Sequence, residues 1–175
     1  MANNSLRAAS HGWLRFAWLF FALLAMPALG HAKNNCPWMN EATATGLLGG
    51  EAVGEFTAAA NGQPAVCVFS EKDAAAARTL RISVMAEADG AAGLKAAEQT
   101  CGTEAAPIQA IGNEAMICSA DDRKGPLAER VVGRVRDQVF TITMGSSIKG
   151  DLLFTRAVLK TKIYTAAEQV SGNLF

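Results

Sequence analysis

The sequence predicts an α+β domain, a mainly antiparallel sheet covered by helices and closed by two disulfides. Three observations lead there. Short runs such as Thr79–Val84 and Val139–Met144 are rich in sheet-favouring residues and flanked by turn residues. Between and after them lie segments whose apolar residues recur at helical spacing. Cys36, Cys67, Cys101 and Cys118 are all the cysteines of the chain, and they follow an apolar N-terminal run.

That run comes first. Residues 1–15 carry Arg7 and Arg15 and no acid, and Phe16–Leu29 is apolar with a breaker at Pro27. A basic start, a short apolar stretch and the small residues Gly30 and Ala32 match a secretory signal, so cleavage is expected after Ala32. The rival reading is a retained anchor. The apolar run is shorter than the roughly 20 residues a spanning helix needs, which favours cleavage and no stable membrane insertion afterwards. Cys36 sits behind Lys33-Asn34-Asn35, which is not the small-residue context of a lipid acceptor. The 143 residues left, 33–175, suit one α+β domain.

Asn40 is placed to cap a helix over Glu41–Leu48, which Gly49-Gly50 ends; Met39, Thr43 and Leu47 should form its inward face. Val53–Ala59 and Ala65–Phe69 read as a hairpin turning through Asn61-Gly62 and Pro64. After the joint Glu71–Ala77, Thr79–Val84 alternates and should bury Leu80, Ile82 and Val84. An alanine-rich helix follows over Ala91–Thr100, with Leu94, Ala97 and Cys101 on one side. Pro107–Asn113 reads as a turn-rich link into a strand over Ala115–Ser119. Asp121–Pro126 is a polar loop before a hairpin of Ala128–Val135 and Val139–Met144, turning near Asp137-Gln138. Asp151 is expected to cap a final helix, Leu152–Val170, striped by Leu159, Ile163, Ala166 and Val170.

Four cysteines allow three pairings. Cys36–Cys67 and Cys101–Cys118 are favoured, because each joins a helix end to the strand that follows within its own half of the chain. With an export signal in front, these are expected to be structural disulfides, since CxxC spacing is absent and no histidine follows the signal to serve as a second ligand type.

The composition narrows the chemistry. The chain has 16 basic and 16 acidic residues; without Arg7 and Arg15, residues 33–175 carry a formal charge of −2, against a nucleic-acid partner. His11 and His31 are the only histidines and both precede Lys33, which removes histidine-based hydrolases and histidine zinc sites from the exported part. Gly145-Ser146-Ser147 lacks the GxSxG pattern. Asp121-Asp122 lacks the alternation of a calcium loop, and Glu51 and Glu55 read as the solvent side of a strand. No catalytic, cofactor or metal residue is assigned. The tentative partner-binding residues are Trp38, the only tryptophan after the signal, and Arg134 with Arg136, which at strand spacing should share one wet face along with Arg130.

Cys36 before a short helix ending near Leu48-Gly49, the strand Cys67-Val68-Phe69, Leu80–Val84, Gly112-Asn113-Glu114-Ala115 and the hairpin about Arg134–Ile142 together resemble a family of small exported bacterial domains of unknown function. Its best-known members are actinobacterial surface lipoproteins and kinase-linked extracellular sensor modules. The resemblance implies a PsbP-like α/β/α sandwich used for binding outside the cytoplasm, with no shared site motif to carry over. The expected function is a non-catalytic periplasmic or secreted binding module for a small ligand or an envelope protein. The alternative is an inhibitor of an envelope or host enzyme, such as a protease or muramidase.

Overall fold

Two antiparallel meanders meet at their last strands. A computed structural model of the chain describes residues 35–72, 77–120 and 126–175. The expected signal peptide, most of the Asp121–Pro126 loop and most of the Glu71–Ala77 joint lie outside these residues, while Asn34–Phe175 forms one compact unit. The first meander is α1 (Glu41–Leu48), β1 (Ala52–Thr57), β2 (Ala65–Glu71) and β3 (Arg78–Ala86). The second is α2 (Gly90–Glu98) with a 3-10 extension (Gln99–Glu104), then β4 (Ala106–Ile108), β5 (Glu114–Ser119), β6 (Leu127–Val135) and β7 (Gln138–Ser146), and it is closed by α3 (Arg156–Leu174). Their strands form a seven-stranded antiparallel sheet in the order β1-β2-β3-β7-β6-β5-β4.

Local chemistry explains most boundaries. Asn40 Oδ1 accepts the Thr43 N–H at 2.8 Å, and Gly49, at φ +84°, provides the left-handed stop. Asn61 and Gly62 both have positive φ, the twist that a two-residue hairpin turn requires. The inward residues of α1 are Ala44, Leu47 and Leu48; Thr43 is only half-buried, so the helix is rotated from the expected face. Asp89 caps α2, accepting the Ala91 and Ala92 N–H groups.

Three expectations need correction. The Pro107–Asn113 link contains the short edge strand β4, whose Pro107 shows no alternation to signal it and is tolerated because an edge leaves one side of the strand unpaired. The β6–β7 turn is Arg136-Asp137, and Gln138 already pairs with Val135. The last helix starts later than expected and is capped by Thr155, because Asp151 is taken by a side chain from the other meander.

The sheet has helices on both faces. Alternation along β6 puts Val131 and Val135 with the α1 and α3 residues, and Val132 on the other side with Leu94 of α2. The first face holds the large core: Leu47, Leu48, Phe69, Leu80, Ile82, Phe140, Ile142, Leu159 and Ile163 are all buried in it. The absence of a side chain at Gly133 makes room for the Phe140 ring, whose Cζ would lie 2.4 Å from a Cβ there. The second face has a small cluster of Leu94, Cys101, Cys118 and Val132. Each face has its own disulfide, Cys36–Cys67 on the first and Cys101–Cys118 on the second, as the sequence favours.

Candidate binding surfaces

Trp38 and the arginines do not lie together on one exposed surface. Trp38 is 7% exposed, packed edge-to-face on Phe56 at 6.1 Å, and its carbonyl accepts from Asn173 Nδ2. The indole thus packs on β1, while the Trp38 backbone carbonyl joins the start of the domain to the end of α3. Arg134 and Arg136 are not a strand-spaced pair, because Arg136 has left the strand for the turn, at φ +56°. Arg134 points along the second face, donating to the Arg136 carbonyl at 3.1 Å and lying 3.7 Å from Glu114. Arg130, half-buried on that face, donates to Thr100 O and Thr143 Oγ1. Arg136 is exposed, with its guanidinium 5.9 Å from the Phe175 ring centroid. Glu55 is exposed on β1, whereas Glu51 precedes that strand and pairs with Lys72 at 2.9 Å.

The second face is covered unevenly. Helix α2 crosses β6 and β7, and its extension reaches β5. The part of this face on β1, β2, β3 and the end of β7 has no helix of the described residues on it. Strand register places Glu55, Val68, Arg81 and Thr143 in one row and Thr57, Val66, Ser83 and Thr141 in the next. Arg81, Glu55 and Thr57 are exposed and the others half-buried. Small hydroxyl and valine side chains make up most of this surface, with Glu55 on its edge strand and Arg81 on β3 as one charge of each sign.

At one end of the first face, the sequence reading missed a buried ionic cluster. Arg78 Nε and Nη2 donate to the two Asp151 oxygens at 2.6 and 2.9 Å, and Nη1 to Glu71 at 2.8 Å. Ser146 Oγ donates to Asp151 at 2.6 Å, and the Leu153 N–H to its other oxygen at 2.9 Å. Glu71 is 7% exposed; Gly50 makes room for its carboxylate, since a Cβ there would meet Oε1 at 2.6 Å. The Arg78 hydrogen bonds, with those from Ser146 and Leu153, outweigh burial and hold the Asp151 carboxyl well below the usual carboxylate range. The hydrogen bond to Asp151, with the charges of both acids and the bond to Glu71, outweighs burial and raises Arg78. Phe154 lies beneath, with Arg78 at 5.4 Å and Lys162 at 5.7 Å from its ring centroid. Lys162 donates to the last carbonyls of α1, Gly46 and Leu47, and burial, aided by the Arg78 charge, lowers its pKa.

This cluster fastens three parts of the chain. Its acids are engaged by one guanidinium and its lysine caps a helix, so its geometry is that of a structural clasp. Beside it, Arg156 at the start of α3 pairs with the buried Glu129 at 2.7 Å and donates to Ser119, bordering a cavity of about 460 Å³ that Glu104 and Lys160 also line. Among the described residues, no group of three His, Cys, Asp or Glu side chains is placed to hold a metal ion. No described helix is long and apolar enough to cross a membrane.

No family model matches the chain, and neither the curated proteins nor the solved structures provide a match.

Proposed function

We propose that this chain is a non-catalytic, exported binding module for a small ligand or a protein partner, acting in the periplasm or after secretion. The observation that carries the reading is the open part of the second sheet face, held between elements that two disulfides fasten. Disulfides on both faces fit an oxidising compartment. The signal-like N-terminus and the resemblance to exported sensor and lipoprotein domains support the same reading. On this reading residues 33–175 are the functional unit, and Val68, Arg81 and Thr143 mark its recognition surface, with Trp38 as a support behind it. Arg134, beside the start of α2, and Arg136, on the β6–β7 turn against Phe175, remain candidates.

Two measurements test this. Fractionation with thiol alkylation should find the chain outside the cytoplasm, beginning at Lys33, with all four cysteines blocked; a cytoplasmic chain with free thiols would end the export reading. Cross-linking in envelope extract should give a discrete adduct that Val68→Glu with Arg81→Glu abolishes while the thermal midpoint is kept. An adduct unaffected by that double change would move recognition elsewhere, and a chain that forms none and shifts with no ligand would count against binding altogether.

A further inference from the structure

Between β7 and α3 the chain places apolar side chains in solvent. Leu152 is 90% exposed and Leu153 52%, and Ile148 is exposed on the same loop. Their exposure comes from a fixed backbone. Asp151, between Gly150 and the leucines, is held by Nε and Nη2 of Arg78; Phe154, which follows the leucines, is fully buried under that guanidinium. The Ser147 N–H bonds to the Ala77 carbonyl at 2.8 Å, and the Asp151 N–H closes a turn on Ile148 O at 3.3 Å. With both flanks anchored inward, Leu152 is left in solvent and Leu153, half-exposed with its Cδ1 toward Gly49, lies beside it.

The free charge within this loop is positive. Lys149 is exposed, whereas Asp151, the loop's acid, is engaged by Arg78. Arg156 is engaged by Glu129 and Lys162 by the α1 carbonyls, which leaves Lys149 as the exposed basic side chain of the loop that bears the leucines. Nearby Glu51 is matched by Lys72. A pair of exposed leucines with an exposed lysine in the same loop suits a surface that is apolar within and anionic outside. A protein hot spot more often uses aromatic residues or arginine, with leucine under-represented.

We propose that the Ile148–Leu153 loop is a membrane-surface contact, in which Leu152 and Leu153 enter the headgroup–acyl boundary of an anionic phospholipid bilayer and Lys149 lies against the headgroups. This is peripheral contact by a loop, and it goes beyond the binding reading above, on which it does not depend.

The test is backbone hydrogen exchange of the full chain with vesicles of phosphatidylcholine alone or mixed with phosphatidylglycerol. Anionic vesicles should slow exchange across residues 148–154 several-fold, neutral ones should not, and about 0.5 M salt should weaken the effect by screening. Leu152→Ser with Leu153→Ser, both at exposed positions, should keep the thermal midpoint and weaken vesicle affinity by roughly tenfold or more while abolishing the slowing. Lys149→Glu should reduce it. Because the variants keep the N-terminal apolar run, the comparison separates loop contact from attachment through that run. Absence of slowing on anionic vesicles, or equal slowing in the double variant, would overturn the proposal. So would slowing without vesicles that grows with protein concentration, which would assign the loop to a second copy of the chain. An envelope protein that protects the loop while anionic vesicles leave it unprotected would do the same.

Discussion

The face under α1 and α3 and the face under α2 are tied by one disulfide each, yet they bury very different amounts of side chain. On the first, Phe69, Leu80, Ile82, Phe140, Ile142, Leu159 and Ile163 interdigitate, with an ionic cluster closing one end. On the second, Leu94 and Val132 meet around the Cys101–Cys118 bridge, with Ala97, Ala105 and Met116 at the margin. Removal from water stabilises by roughly 25 cal/mol per Å² of apolar surface, so the first face can hold its helices by burial alone. Helix α2, with alanine and glycine as most of its residues, cannot. The comparison teaches that a covalent tether can stand in for a core on one side of a sheet while supplementing a core on the other.

The sharpest way to break this comparison is to make the same deletion on both faces. Leu159→Ala on α3 should cost about 4 kcal/mol, since sheet and helix cannot close around the cavity; Leu94→Ala on α2 should cost about 2 kcal/mol, because a lightly packed helix can settle. Urea denaturation monitored by circular dichroism measures both, and equal costs would show that the second face is packed as rigidly as the first.

Removing the bridges is the next largest effect. Sequence separations of 31 and 17 give similar loop entropies, so replacing either cysteine pair with alanine should lower global stability by about 3 to 4 kcal/mol. The difference should appear in hydrogen exchange. Without Cys101–Cys118, α2 and its extension should open well below the global unfolding energy, whereas without Cys36–Cys67, α1 should still exchange with the sheet. If α2 stays as protected as β3 and β7, the tether is not what holds it.

The ionic cluster gives the first face a pH dependence. Asp151→Asn leaves Arg78 half-paired in a buried setting and should cost about 3 kcal/mol near neutral pH. The folded Asp151 carboxyl lies below its unfolded value, so the native state takes up its proton less readily than the unfolded chain. That contribution is complete above the ordinary carboxylate pKa of about 4 and is lost as the pH falls below it toward the folded value. The acid limb of the stability profile should therefore flatten in Asp151→Asn. An unchanged limb would mean that Arg78 does not discriminate the two protonation states.

What the sequence disclosed follows the range of the interaction. Helix α1 has its expected ends because Asn40 and Gly49 act within a few residues, and the cysteine pairs could be chosen because each bridge stays within one meander. The alternating run Leu80–Val84 identified a strand and its inward face. The Arg78–Asp151 pair, 73 residues apart, has no local signature; Asp151 followed by Leu152-Leu153 looks like a cap and a helix start, and only the β3–β7 pairing brings Arg78 to it. The open part of the second face was hidden for a similar reason. Alternation in β3 shows that one side of that strand is polar, but which strands α2 leaves uncovered depends on strand order, which local residues do not encode.

The smallest test uses the two helix caps. Asn40 caps α1 on the first face and Asp89 caps α2 on the second, each through its side-chain oxygen, and either change to alanine removes about 1 kcal/mol of helix stability. Where that loss appears should differ. Helix α1 is joined to the sheet by the Thr45–Ala52 and Glu41–Gly54 hydrogen bonds and by Lys162 at its last carbonyls, so it cannot unwind alone, and Asn40→Ala should lower the global urea midpoint. Helix α2 has little apolar surface holding it, so Asp89→Ala should speed exchange in its first turn and move the global midpoint by much less. Equal midpoint shifts would mean that α2 unfolds together with the sheet, and the contrast between the two faces would then reduce to the amount of side chain each buries.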